Sequence, residues 1–107
     1  MFINSTVGIW NNTPGVKING VYIPGVLAYV YDIDVDIQPF STALLITTYG
    51  YNIEVDKRLF INNFDINIKV GTILRYIDKY GEVVNLEVKA IPWDDRYMDV
   101  MCLKVQI

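Results

Sequence analysis

The chain contains no histidine and a single cysteine, and these two shortages narrow the available chemistry at once. Without histidine there is no ordinary general base at neutral pH, no usual zinc ligand and no Ser–His or Cys–His pair to activate a nucleophile. Cys102 cannot form an internal disulfide. It sits in the apolar run Val100-Met101-Cys102-Leu103, where a thiol behaves as a small buried hydrophobe. Positive charge is also thin: nine Lys and Arg stand against twelve Asp and Glu, for a net charge of −3. The longest cationic run is the pair Lys57-Arg58, too little for a phosphate footprint, so no direct grip on nucleic acid is expected. No apolar stretch approaches the roughly 18 residues of a membrane helix. The start Met1-Phe2-Ile3-Asn4-Ser5 lacks the basic residues and small-residue cleavage site of a signal peptide. No membrane contact and synthesis in a cytoplasm are the expectations. A glycine-rich phosphate loop is missing too, since Gly15, Gly20 and Gly25 all stand in turn contexts.

What is abundant is apolar and aromatic surface. Of the 107 residues, 52% are hydrophobic and 13% aromatic, with eight tyrosines. That length is one domain's worth and buries roughly 65% of its unfolded surface. A domain this small cannot hide so much apolar surface alone, so part of it is expected to face a partner or sister copies.

The hydrophobic pattern is that of strands. Leu27, Tyr29, Tyr31, Ile33, Val35 and Ile37 alternate with Ala28, Val30, Asp32, Asp34 and Asp36, which predicts a long strand with its odd-numbered face buried, ended by Pro39. Asn19-Gly20, between Val16–Ile18 and Val21–Ile23, predicts a tight hairpin, because both central residues of a type I′ turn need positive φ. Ile73–Ile77 and Val83–Ile91 read as a second hairpin closed by Asp78-Lys79-Tyr80-Gly81, with Pro92 as its stop. Strands are also expected within Tyr51–Ile61 and Tyr97–Ile107. Ser41 can cap a short helix over Thr42–Tyr49 that Gly50 would stop, in competition with a strand, since Ile46 to Tyr49 favour sheets. Residues 1–15 are rich in turn formers and read as an N-terminal arm anchored by Trp10, with one short strand around Val7–Trp10. Residues 16–107 read as the folded domain. Short strands at this spacing predict a mostly β protein, a small antiparallel β-barrel with one extended loop.

The candidate chemical groups have structural explanations close at hand. Asp32, Asp34 and Asp36 alternate along one strand face, roughly 6.6–6.8 Å apart, too far to share one cation easily. They form a solvated face, or an acidic stripe turned to a channel or a partner. Asp94-Asp95-Arg96 reads as a tight turn with a local ion pair. The tyrosines suit half-buried sheet positions and interfaces alike. No catalytic residue, metal site or cofactor is expected. Trp10, Tyr51, Trp93 and Tyr97 are the candidate interface residues.

In order along the chain stand Asp36-Ile37-Gln38-Pro39, Tyr49-Gly50, Arg58-Leu59-Phe60-Ile61, Ile68-Lys69-Val70-Gly71 and Ile91-Pro92-Trp93-Asp94-Asp95-Arg96-Tyr97-Met98. Their order and spacing over residues 16–107 resemble the head-closure, or stopper, proteins of tailed bacteriophages, also called minor capsid proteins. The resemblance implies a compact β-barrel without catalytic residues or cofactor. It implies a homo-oligomeric ring in the virion neck, with portal and adaptor proteins above, tail proteins below, and double-stranded DNA as channel cargo, not as a sequence-specific ligand. One loop of such proteins reaches into the channel. Here the candidate is Gln38, Pro39, Phe40, Ser41 and Thr42 through Tyr49 and Gly50, with Tyr51–Lys57 second. Two other readings stand beside it: a different phage connector or tail-completion protein, and a small ligand-binding or regulatory β module.

Overall fold

Strands make up most of the structure, a computed structural model that describes residues 5–40 and 54–106. In chain order they are β1 (Ser5–Asn12), β2 (Val16–Ile18), β3 (Val21–Ile23), β4 (Leu27–Pro39), β5 (Lys57–Ile61), β6 (Ile73–Ile77), β7 (Val83–Asp94) and β8 (Met98–Val105). Six of them close a barrel in the order β1-β4-β5-β8-β7-β6, and β2 and β3 form a separate two-stranded sheet. Every pairing is antiparallel. The protein is thus a mostly β chain with a small closed antiparallel barrel, as its sequence pattern predicts. The helix expected over Thr42–Tyr49 lies outside the described residues.

The barrel interior is filled by alternate residues of its strands. Val7 and Ile9 of β1, Val35 of β4, Leu59 and Ile61 of β5, Leu74 of β6, Val84, Leu86 and Val88 of β7, and Met98, Val100 and Cys102 of β8 form one buried cluster. Ile68, from the stretch between β5 and β6, joins it. That stretch is tied to β1 by a buried hydroxyl. Thr72 Oγ1 donates to Asn11 Oδ1 (2.6 Å), and Asn11 Nδ2 donates to the carbonyl of Asn67 (2.7 Å). A smaller second cluster, Val55, Ala90 and Met101 with Phe40 packed on it, lies on the outside of the wall. The register shift between Val88 and Ala90 explains it. One extra residue on β7 turns Ala90 outward, beside Met101.

Both predicted hairpins are present. Asn19 and Gly20 have φ of 51° and 79°, the left-handed pair a type I′ turn requires. Between β6 and β7 the Asp78 carboxylate accepts the N–H groups of Tyr80 (2.9 Å) and Glu82 (3.0 Å), an Asx turn that sets the register.

Three expectations are corrected. Residues 5–12 are a full barrel strand, paired with both β4 and β6, not part of an arm outside the fold. Pro92 does not end β7, which runs to Asp94. The missing N–H falls at a second register shift, between Ala90 and Trp93, where the ladder is already interrupted. The odd-numbered face of Leu27–Ile37 is not buried throughout. Gly8 pairs with Asp32 and Trp10 with Tyr29, so β4 carries one residue more than β1 across that interval. The bulge flips the alternation. Val35 stays inside, whereas Tyr29 joins the Asp32 face and is exposed together with Tyr31.

Candidate functional site

The longest connection between two neighbouring strands leaves the barrel at a single rung. Pro39 of β4 pairs with Lys57 of β5, and Gln38 with Arg58, so residues 40–56 depart and return side by side. Antiparallel neighbours need only a short turn, so this connection is much longer than the pairing requires. Its base is stapled. Phe40 N–H donates to the carbonyl of Asp56 (3.1 Å), and Asp56 N–H donates to the carbonyl of Cys102 (2.9 Å). Under it lies Arg58, held by both oxygens of the buried Asp99 carboxylate at 2.9 and 2.7 Å. The guanidinium also faces the rings of Phe60 (4.3 Å) and Phe40 (5.4 Å). Asp36, expected on the solvated face, is buried here and accepts from Gln38 Nε2 (3.0 Å). Of the candidate channel residues, Gln38 and Pro39 close β4 in exposed positions and Phe40 is half-buried on the second cluster. Ser41, Thr42, Tyr49 and Gly50 lie outside the described residues, as does Tyr51.

The flank formed by β1, β4 and β6 carries an aromatic cleft. Trp10 and Tyr29 meet at 5.3 Å between ring centroids, and the Arg75 guanidinium stacks 4.3 Å from the centroid of Trp10. Tyr29 OH donates to Asp32 Oδ1 (2.9 Å), and this hydrogen bond is the main reason its pKa is raised above the usual phenol value. Gly8 lies beneath. A Cβ there would stand 3.1 Å from Asp32 Oδ1 and 3.2 Å from Trp10 Nε1, so the missing side chain is what lets the cleft close over the strand. The cleft encloses about 590 Å³ and is bordered also by Tyr76, Ile77 and Val83.

The other two candidate interface residues within the described chain are brought together. Trp93, at the end of β7, and Tyr97, just before β8, pair at 6.0 Å and are both exposed. Asp94-Asp95-Arg96 forms the turn between them, but no ion pair joins these residues among the described ones. Instead the carbonyl of Arg96 accepts Phe64 N–H (3.2 Å). Trp10 lies on the β1–β4–β6 flank, so the structure supplies separate aromatic surfaces and not one. The three aspartates of β4 do not converge. Asp32 binds Tyr29, Asp34 accepts from Thr6 Oγ1 (2.7 Å) and Asp36 turns to Gln38. No group of three or more acidic or cysteine side chains that could hold a metal occurs among the described residues.

Cys102 is fully buried in the barrel, and burial, with Asp56 adding to it, pushes its thiol far above the ordinary value. The native thiol is therefore expected to resist a thiol-specific disulfide reagent at neutral pH and to react only as fast as the barrel opens. Rapid, denaturant-independent labelling would show that the β5–β8 wall is not closed around it.

Sequence reasoning missed the exposure of the β2–β3 hairpin and the outward turn of Tyr29. A signal for the second was present: Gly8 inside an otherwise apolar strand marks a bulge or a close approach on the pair it belongs to.

These features define a class, a small closed β-barrel with a stapled long connection and several exposed aromatic and apolar surfaces. No family model matches the chain, and no curated protein matches it. Among solved structures it is similar to the solution structure of protein SF1141 from Shigella flexneri 2a, with a TM-score of 0.73 and 11% identity, over 95% of this chain and 92% of that one. At that identity the likeness shows the fold alone.

Proposed function

We propose that the protein is a structural component of a phage head–tail connector, a head-closure protein that assembles as a ring beneath portal and adaptor, closes the DNA channel and receives the tail. The observation that carries this reading is the 40–56 connection. It springs from one rung of a rigid wall, and its base is fixed by Arg58, Asp99 and two backbone hydrogen bonds. A channel plug needs a barrel that keeps its place in the ring and a long connection anchored at a fixed base. The ordered resemblance from Asp36 to Met98 assigns the same region to the channel. The acidic balance of the chain fits a conduit, since a basic lumen would hold DNA that must pass. Separate aromatic surfaces, the exposed Tyr29 against the half-buried Trp10 and the exposed Trp93–Tyr97 pair, suit a ring subunit, which meets two neighbours through different faces.

The test is to replace residues 41–53 with a short Gly-Ser linker in the phage genome and to image the particles. Heads that package DNA, lose it and accumulate beside free tails are expected, with the variant protein still folded. Filled heads that retain DNA and join tails normally would overturn the reading.

A further inference from the structure

Among the described residues the β2–β3 hairpin concentrates exposed apolar side chains. Among the described residues it pairs only with itself, and neither of its outer edges carries a further strand there. In its register Val16 stands opposite Ile23 and Ile18 opposite Val21, which places four β-branched side chains on one face, while Lys17 and Tyr22 share the other. All six are exposed, Val21 by 63% and Tyr22 by 67%. An isolated two-stranded hairpin is marginal in water, and a third strand is what such a unit needs.

The same molecule has an open strand edge. β4 pairs with β1 from Leu27 to Val35 but with β5 only from Asp36 to Pro39. Along Leu27–Asp34 the edge away from β1 carries no strand among the described residues, whereas the fully buried Val35 has Ile61 of β5 beside it. Where β4 and β5 part, a depression of about 410 Å³ lies between Ile33 and Asp34 on one side and Ile61, Phe64 and Asp65 on the other.

We propose that the hairpin of one copy adds, through β2, to the open β4 edge of a second copy. The two edges match by charge and by period. Lys17 is flanked by Val16 and Ile18, and Asp34 is flanked by Ile33 and Val35. Setting Lys17 opposite Asp34 therefore lays one aliphatic neighbour of Lys17 beside the half-buried Ile33, on the face away from the charges. Charge also argues against the symmetric alternatives. Two β4 edges would bring Asp32 and Asp34 against the same residues of the other copy, and two antiparallel β2 edges would set Lys17 against Lys17. Donor and acceptor are different surfaces, so the contact is heterologous and leads to a ring or an open chain of copies. It stands without the head-closure reading, because it requires only a second copy of this chain.

Sedimentation velocity on the purified protein, from micromolar to millimolar concentration, tests it. The wild-type mass is expected to rise with concentration. Lys17→Glu and Asp34→Lys are each expected to weaken association about tenfold or more, with unchanged circular dichroism and melting. An equimolar mixture of the two variants is expected to regain association. The carboxylate introduced on the hairpin of one variant then meets the ammonium introduced on the β4 edge of the other, while the native pair forms at the second contact. Val21→Lys, at an exposed position, provides an independent variant expected to weaken association equally. A wild type that stays monomeric throughout, assembly indifferent to Lys17→Glu, or a mixture that fails to recover would overturn the proposal. None of these results bears on whether the 40–56 connection closes a channel.

Discussion

Replacing Leu59 with alanine is expected to cost about 2–5 kcal/mol of folding free energy and to lower the melting temperature by about 10 °C or more. Leu59 is fully buried and stands in the middle of three adjacent strands, opposite Ile37 of β4 and Val100 of β8. It packs in the single cluster that fills the barrel, so the neighbours that would have to move into the space are themselves pinned by ladders on both sides. A closed barrel collapses poorly around a deletion, which puts the cost toward the upper part of the range. The measurement is thermal and urea unfolding followed by circular dichroism. A shift of only a few degrees would mean that β5 is not the wall strand described.

Arg58→Ala is expected to destabilise the protein by about 3 kcal/mol, because Asp99 is almost wholly buried and loses both of its charge-assisted bonds at once. The Phe40 and Phe60 rings lose the cation between them as well. The double replacement Arg58→Met with Asp99→Leu is expected to recover most of the loss, since a matched apolar pair removes the buried charge along with its partner. Urea titration reads both variants. Hydrogen exchange at Phe40 and Asp56, whose N–H groups staple the base of the connection, is expected to accelerate in the single variant before the rest of the barrel opens. A single variant as stable as wild type would show that this pair does not hold the base.

The local pattern of residues carried much of the architecture. Asn19-Gly20 could only be a left-handed turn, and the Asp78–Gly81 turn with alternating flanks could only be a hairpin, because both signals are decided within a few residues. The mostly β class, the barrel and the inward alternation of β7 and β8 follow from period-two spacing of Val, Leu, Ile and Met. The absence of histidine and of a basic cluster likewise excludes chemistry without reference to any fold.

Tertiary structure decided the rest. Residues 5–12 hold turn formers beside a strand, and whether they pair depends on β4 and β6 offering edges, which no local pattern shows. The face of Tyr29 hinges on one extra residue opposite Gly8. Period-two reasoning assumes no such residue, and a slip of one reverses every side chain beyond it. Asp36 reads as solvated from its strand, yet it is buried, as is Asp99. Arg58 reaches over from β5 to Asp99, Gln38 covers Asp36, and Phe40 packs with Val55 on the same wall. Pro92 reads as a stop because proline cannot donate, and it is tolerated because the β7–β8 register shift leaves no bond for it to make. The sequence alone determined which residues are apolar and how they alternate. Pairing partners, a few residues of register and the rung at which the 40–56 connection departs came only from closure of the barrel, since those depend on contacts between segments far apart in the chain.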